Sequence, residues 1–416
     1  MFDWLLNEEQ KKLRDEVREL VNWVPRQYIL DMDADKIRFP KEFLQEAGRR
    51  NLMGCRYPGK WGGRGMDWVT TCMIMEEVGT LGYIFACTFG VGAELVCDAI
   101  VLHGKDWQKE KYVKPLLKGE MFAAECLTEP RGGSDFFGAA TTAEDKGDYF
   151  LLNGQKRFIV GAEGADYFLV YARTDPDPKA KSHKALTAFV VDRGPGVEVE
   201  YLYGLLGCRG GGTGRIVFKD VKVPKENILG EQNGALAVFN TMMIPERLGT
   251  AAMTIGAARP ALEVATGYTT RRKAFGQVIN SFQGVSFQVA EAAMLLDASR
   301  SQCYTTSRAV DGGLPPDATR RLVSQTKKFV TESCQKVVHN AMQVVGGIGY
   351  TNVFPLERIF RDLRLATIWT GSNEVMSMII AHEWYQEYLR AKGRLGARDH
   401  EEDAAESEAP DEKIYE

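Results

Sequence analysis

The chain has 416 residues, which at roughly 150 per domain points to two or three domains. Hydrophobic residues make up 44% and charged residues 26%, the balance of an ordinary globular protein, which excludes a disordered or collagen-like chain. With 52 Lys and Arg against 56 Asp and Glu the net charge is −4, so nothing builds the positive field that nucleic acid requires.

The chain opens on an amphipathic helix. Leu13, Val17, Leu20 and Val21 recur at helical spacing behind Asn7-Glu8-Glu9, whose acids suit a helix N-terminus. This opening lacks the basic stretch and apolar run of a secretory signal. Residues 56–65 form a Gly/Pro-rich break, and a second helical block runs from Trp68 to about Lys118. Its most apolar part, Ile84 to Leu102, carries Glu94 and Asp98 and reads as a buried helix, so no membrane segment is expected. Residues 1–120 thus form an N-terminal helical domain.

Near Met121 the pattern turns strand-like. Short β-branched or aromatic runs at 149–152, 167–171, 186–191 and 216–218 are separated by Asp/Gly/Pro clusters such as Thr174-Asp-Pro-Asp-Pro178. No long helical pattern intervenes, so 121–231 reads as an antiparallel β domain and not as a Rossmann unit. Helical periodicity returns at 235–270, 281–311, 316–346 and 373–390, which predicts a four-helix bundle within 232–395. From Asp399 onward the tail holds nine acids and a single Lys, so 396–416 is expected to be a disordered, solvated tail. The fold class is α+β, helices then sheet then bundle. There is no internal repeat.

Eight Cys are scattered without a C-x-x-C pair, which reads as reduced packing thiols in a cytoplasmic protein. Five His without ligand spacing argue against a metal.

The chemistry begins at Ala124-Glu-Cys-Leu-Thr-Glu-Pro-Arg-Gly-Gly-Ser-Asp135. Thr128, two Gly and Ser134 make a tight loop whose N–H groups and hydroxyls could hold an anionic ligand, although a plain turn cluster has the same composition. The stretch T-E-P-x-x-G-S-D resembles the flavin-binding signature of the acyl-CoA dehydrogenases. Asn153-Gly-Gln-Lys-Arg-Phe-Ile159, Val221–Gly230, Arg272-Lys-Ala-Phe-Gly276 with Phe282-Gln283, and Gln343-Val-Val-Gly-Gly347 with Gly349-Tyr350, Arg358 and Arg361-Asp362 resemble further motifs of that family, in order, across about residues 3 to 390.

The resemblance implies bound FAD. Leu127, Thr128, Gly133, Ser134, Phe158, Ile159 and Val160 would line it within one subunit, with Trp369, Ser372 and Glu374 completing the set. Arg272, Phe275, Gln283, Gln343, Val344, Gly346 and Gly347 would reach the FAD of a neighbouring subunit, which implies a homotetramer built from dimers. Acyl-CoA would meet Ser134, Arg247, Gly371, Phe89 and Val91. The implied reaction is α,β-dehydrogenation to a 2-enoyl-CoA, with electrons passed to an electron-transferring flavoprotein.

Two positions depart from the family pattern. Thr370 stands where I-Y-E-G-T has its catalytic Glu, and a hydroxyl cannot abstract a proton alpha to a thioester. Some members carry the Glu in an E-R-L motif, matched here by Glu246-Arg247-Leu248, so Glu246 is the candidate base, and the backbone N–H of Thr370 is the candidate donor to the thioester carbonyl. Glu374 is a minor candidate, directed away by one helical turn. Taken alone, Glu246 would read as half of a local salt bridge. The second departure is Val160, where Thr usually places a hydroxyl near the flavin. Both departures leave open a flavin oxidase or monooxygenase, or a non-catalytic acyl-CoA-binding flavoprotein. Gly90, Gly92 and Ala93 suggest room for a branched, cyclic or aryl-bearing acyl group, or else close helix packing. Glutaryl-specific relatives carry an Arg on this helix where Ala86 aligns, which argues against a glutaryl group.

Overall fold

The computed structural model describes residues 3–177, 179–391, 395–398 and 400. Most of the expected acidic tail lies outside them.

The N-terminal region is helical: α1 (Glu8–Trp23), α2 (Arg26–Asp33), α3 (Lys41–Arg49), α4 (Trp68–Gly79), α5 (Tyr83–Gly90), α6 (Cys97–His103), and the short α7 (Asp106–Gln108) and α8 (Lys114–Leu117). Asn7 starts α1 with a reciprocal cap. Its Oδ1 accepts from the Gln10 N–H at 2.8 Å, and the Gln10 Oε1 accepts from the Asn7 N–H at 3.0 Å. Asn7→Ala should therefore cost about 1 kcal/mol in a urea unfolding experiment. The apolar stretch Tyr83–His103 is long and apolar enough to cross a membrane by composition alone. It lies inside the protein, however, and Val91–Val96 between α5 and α6 is a π turn. Wide turns of this kind are frequent at functional sites.

The strands are β1 (Ala123–Cys126), β2 (Thr142–Asp145), β3 (Tyr149–Ile159), β4 (Tyr167–Arg173), β5 (Leu186–Asp192), β6 (Val197–Leu202), β7 (Gly214–Pro224) and β8 (Ile228–Leu229). They form one sheet in the order β6-β7-β3-β2-β4-β5-β8, with β1 also on β4. Most pairings are antiparallel, as the strand-turn pattern predicts, but β1 and β2 both run parallel to β4. Alternation divides the side chains between two cores. Ala124, Cys126, Phe168 and Val170 pack with Phe150 and Ile216. Ala123, Tyr167, Leu169 and Tyr171 join the helices.

The C-terminal region holds α9 (Ala235–Thr269), the hairpin β9 (Lys273–Ala274) and β10 (Gln277–Val278), α10 (Gln283–Asp311), α11 (Pro316–Val345), the short α12 (Leu356–Leu363) and α13 (Asn373–Arg390). Helix α9 packs on α11 and on α4. Its crossing with α4 is backbone to backbone: a Cβ on Gly256 would stand 2.0 Å from the Glu76 carbonyl oxygen, so only glycine fits. Buried charges lock the same junction. Glu76 accepts from Arg300 Nη2 at 2.7 Å and Tyr304 Oη at 2.9 Å, and Glu77 pairs with Arg259 at 2.8 Å.

Candidate active site

Glu246 lies on α9 directly after Pro245, a residue that brings no N–H to the helix ladder and leaves the Thr241 carbonyl without its intrahelical donor. Glu246 and Thr250 are one turn apart and share a helix face. The Thr250 hydroxyl donates to the Thr370 hydroxyl at 3.4 Å. Glu246 therefore faces the Trp369–Gly371 turn. Thr370 and Gly371 both take left-handed φ values, +54° and +74°. For a β-branched Thr this is strained, and such strain concentrates at functional positions.

The turn is held from below by Lys327 of α11. Its Nζ donates to the Gly371 carbonyl at 2.9 Å and to Asn373 Oδ1 at 2.9 Å. Trp369 Nε1 donates to Tyr83 Oη at 3.0 Å, tying the turn to α5. Burial pushes the Glu246 carboxyl up to about 7, with Arg247 and Lys327 partly opposing it. Burial likewise pulls Lys327 down to about 8, against the attraction of Glu246. Arg247 is buried between α9 and α11, its Nη1 donating to Ser324 Oγ at 3.1 Å. Glu374, by contrast, is exposed at the start of α13, and hydrogen bonds from its own backbone N–H and Ser372 hold its carboxyl below the usual range. Ser372 caps that helix, accepting from the Val375 N–H at 3.4 Å.

The loop after β1 is fastened by a buried ion pair. Lys156 Nζ lies 2.7 Å from Glu129 Oε1 and 3.2 Å from the Leu127 carbonyl. Glu129 also accepts from the N–H of Ala140 and Thr141. Burial raises the Glu129 carboxyl, but Lys156 and these donors outweigh it and hold it below its ordinary value. Burial holds Lys156 below its own, only partly offset by Glu129. The Arg157 N–H closes the loop on the Thr128 carbonyl at 2.9 Å. Leu127 and Thr128 are half-buried, and Gly133 and Ser134 are exposed. Phe158 takes φ +59° at a register shift of β3 on β7, half-exposed with its ring 4.9 Å from Tyr203. Ile159 is buried and Val160 half-buried beside it.

The remaining expected residues gather at one end of the bundle. Antiparallel α10 and α11 bring Gln283 and Gln343 to that end, where Asn340 Nδ2 donates to the Gln288 carbonyl at 3.3 Å. Arg272, Gln283, Gln343, Gly346 and Gly347 are exposed there, while Val344 is buried. Phe275 is 96% exposed at φ +51° in the two-residue turn between β9 and β10, followed by Gly276 at +81°. The only ring neighbour of Phe275 among the described residues is Phe282, edge-on at 6.0 Å.

Of the two readings of the small residues, close packing has support at Gly90, where a Cβ would meet Met75 Cε at 2.7 Å, whereas one on Gly92 in the π turn would make only ordinary contact with Leu116 Cδ1 at 3.4 Å. Phe89 is fully buried and Val91 half-buried at the start of the π turn.

Three groups at the site receive no role in the sequence reading: Lys156 and Glu125, which lie within the quoted stretches 153–159 and 124–135, and Lys327, which lies in no motif. Each is a charged residue at an inward position. Glu125 projects from β1 with its Oε1 buried and unpartnered.

Sequence families described as the N-terminal, middle and C-terminal domains of acyl-CoA dehydrogenase match residues 7–120, 124–221 and 233–384. A caffeyl-CoA reductase–Etf complex subunit of Acetobacterium woodii is 35% identical, over 90% of this chain and 98% of its own. A 3-(aryl)acrylate reductase of Clostridium sporogenes is also 35% identical, over 88% and 98%. The structure of butyryl-CoA dehydrogenase from Megasphaera elsdenii superposes with a TM-score of 0.87 at 30% identity, over 91% of this chain and 99% of that one. The chain belongs to the acyl-CoA dehydrogenase family of flavoprotein oxidoreductases.

Proposed function

We propose that the protein catalyses FAD-dependent α,β-dehydrogenation of an acyl-CoA thioester to the 2-enoyl-CoA, with Glu246 as base. The observation that carries this reading is the half-buried Glu246 carboxyl, raised to about 7, on the helix face that meets Thr370. A carboxylate raised this far is basic enough to take an alpha proton at neutral pH. The Thr370 N–H, turned by the left-handed backbone, would donate to the thioester carbonyl and acidify that proton. Lys327 would fix the turn through the Gly371 carbonyl.

The residues present fit FAD. Exposed Ser134 and half-buried Thr128 offer hydroxyls beside an open Gly133, whose added Cβ would meet only Thr128 Cγ2 at 3.8 Å. Phe158 presents half its ring next to them. When bound, the flavin supplies the hydride acceptor. Arg272 and Gln283, with Gln343–Gly347, would hold the cofactor of a neighbouring subunit in a homotetramer. Phe275→Asp should lower bound flavin per subunit severalfold and shift the assembly to smaller species, read by absorbance ratio and sedimentation.

An electron-transferring flavoprotein is the proposed acceptor, supported by the Etf complex named for one relative. An aryl-bearing acyl group is the proposed substrate, supported by the two reductase relatives. The eight buried free thiols fit a cytoplasmic setting. Anaerobic flavin bleaching with butyryl-, isovaleryl-, cyclohexanoyl- and benzylsuccinyl-CoA tests this reading. Fastest bleaching is expected with the aryl-bearing thioester. A preference for butyryl-CoA would remove the bulky substrate, bleaching by none would remove the dehydrogenase, and rapid reoxidation by air with peroxide would favour an oxidase.

A further inference from the structure

We propose that Lys327 is a positioning residue for the reaction: its buried ammonium clamps the left-handed Thr370–Gly371 turn so that the turn polarises the thioester carbonyl. This role rests on the Thr370 N–H being the donor to that carbonyl.

One face of α11 holds the segment that leads into the turn. Lys327, Thr331 and Gln335 follow one another at one-turn spacing. Gln335 Nε2 donates to the Leu363 carbonyl at 3.1 Å, and Thr331 Oγ1 accepts from Asn373 Nδ2 at 3.1 Å. Lys327 Nζ reaches the Gly371 carbonyl and Asn373 Oδ1, each at 2.9 Å. Asn373 Nδ2 also donates to Glu332 Oε1 at 3.2 Å, so the amide that accepts from Lys327 is itself fixed. The other ties on the turn are neutral: the Thr250 hydroxyl on Thr370 and the Tyr83 hydroxyl on Trp369.

Lys327 is fully buried, and among the described residues no carboxylate lies within ion-pair reach of its Nζ. Buried charges are normally paired with an opposite charge. This one is spent on a backbone carbonyl and an amide oxygen. Thr370 at φ +54° is a β-branched residue in a conformation that its own backbone disfavours, so an outside tie has to hold it. A charge-assisted hydrogen bond is roughly twice as strong as a neutral one, which suits a tie under strain. Burial pulls Lys327 down to about 8, with Glu246 opposing, so it keeps its proton at neutral pH. The clamp fixes the backbone from which the Thr370 N–H projects and places a positive charge on the same turn. Both favour the negative charge that develops on the thioester oxygen.

The test uses the holoenzyme and 4-(dimethylamino)cinnamoyl-CoA, a product-like aryl thioester whose absorption moves to the red when its carbonyl is polarised. Wild type should give a clear red shift on binding. Lys327→Met should lose most of that shift and slow anaerobic flavin bleaching by the fastest thioester of the panel above about 10²-fold, while flavin per subunit and the Kd of the probe stay close to wild type. Lys327→Gln keeps N–H donors for the Gly371 carbonyl and should recover part of the shift. Should Lys327→Met fail to fold, Asn373→Leu, which removes the second acceptor, should give a smaller shift than wild type. A full red shift in Lys327→Met, or in Asn373→Leu where that variant is the one read, would overturn the role. So would equal shifts from the Met and Gln variants, or flavin loss in step with the rate, as a merely structural lysine gives. If wild type shifts the probe but no acyl-CoA bleaches the flavin, the dehydrogenase reading falls and the clamp stands. If wild type binds the probe without a shift yet acyl-CoA bleaches the flavin, the clamp falls alone.

Discussion

Glu246→Gln is expected to slow flavin bleaching by an acyl-CoA by about 10²–10⁴-fold, the usual contribution of a positioned general base. The substitution keeps the shape of the side chain and removes only its ability to take a proton, so acyl-CoA should still bind. The pH dependence has a definite sign. As the proposed base Glu246 would work when ionised, and burial has raised its carboxyl to about 7, so wild-type turnover should rise with pH through that region and level off above it. Glu374→Gln should leave the rate within about twofold, because that carboxylate is exposed and already ionised well below neutrality. If stopped-flow bleaching survives in Glu246→Gln and is lost in Glu374→Gln, the base has been misassigned.

Lys156→Met should destabilise the protein by about 3–5 kcal/mol, the cost of leaving a buried carboxylate without its cation. Lys156 is fully buried, Glu129 is nearly so, and the pair ties the loop carrying Thr128 and Ser134 to β3. Flavin affinity should fall with stability. The pH dependence again checks the cause. Glu129 is held below its ordinary value, so the wild-type pair is present above the unfolded carboxyl's titration and is lost as pH falls. In Lys156→Met the orphaned Glu129 is relieved by protonation, so the stability gap should narrow on acidification. Adding Glu129→Gln to the variant should recover part of the loss at neutral pH. Chemical denaturation at pH 7 and pH 5 measures both effects, and a gap that widens in acid would exclude the pairing as the cause.

Much of the fold is legible because its elements carry strong local patterns. The long bundle helices repeat apolar residues at helical spacing, and the strands of the β domain alternate between turn clusters. The parallel seating of β1 beside β4 is not legible: four residues carry no periodicity, and no crossover helix announces the pairing. The break of the 84–102 stretch into two helices and a π turn is hidden for a similar reason, because uniform burial erases the amphipathic signal. At the site, Glu246 stands out in sequence as the candidate base because it neighbours Arg247 and Leu248 in a short motif and because Thr370 occupies the usual position. Glu125 and Lys156 lie inside quoted stretches yet receive no role there, and Lys327 lies in no motif, because a charged residue without a visible partner reads as solvated. Only the folded chain shows that each is turned inward. At Gly90 the sequence leaves acyl room and close packing equally open, and only the fold brings Met75 from a distant segment against it.

All eight thiols are buried and none is bonded to another. They are spread so that Cys55, Cys72, Cys87 and Cys97 sit among the first helices, Cys126 in β1, Cys208 in the loop between β6 and β7 against α12, and Cys303 and Cys334 in the bundle. Alkylation must therefore wait for each region to open, and the order in which a mass spectrometer sees these eight labels appear is a map of which part of the molecule breathes first.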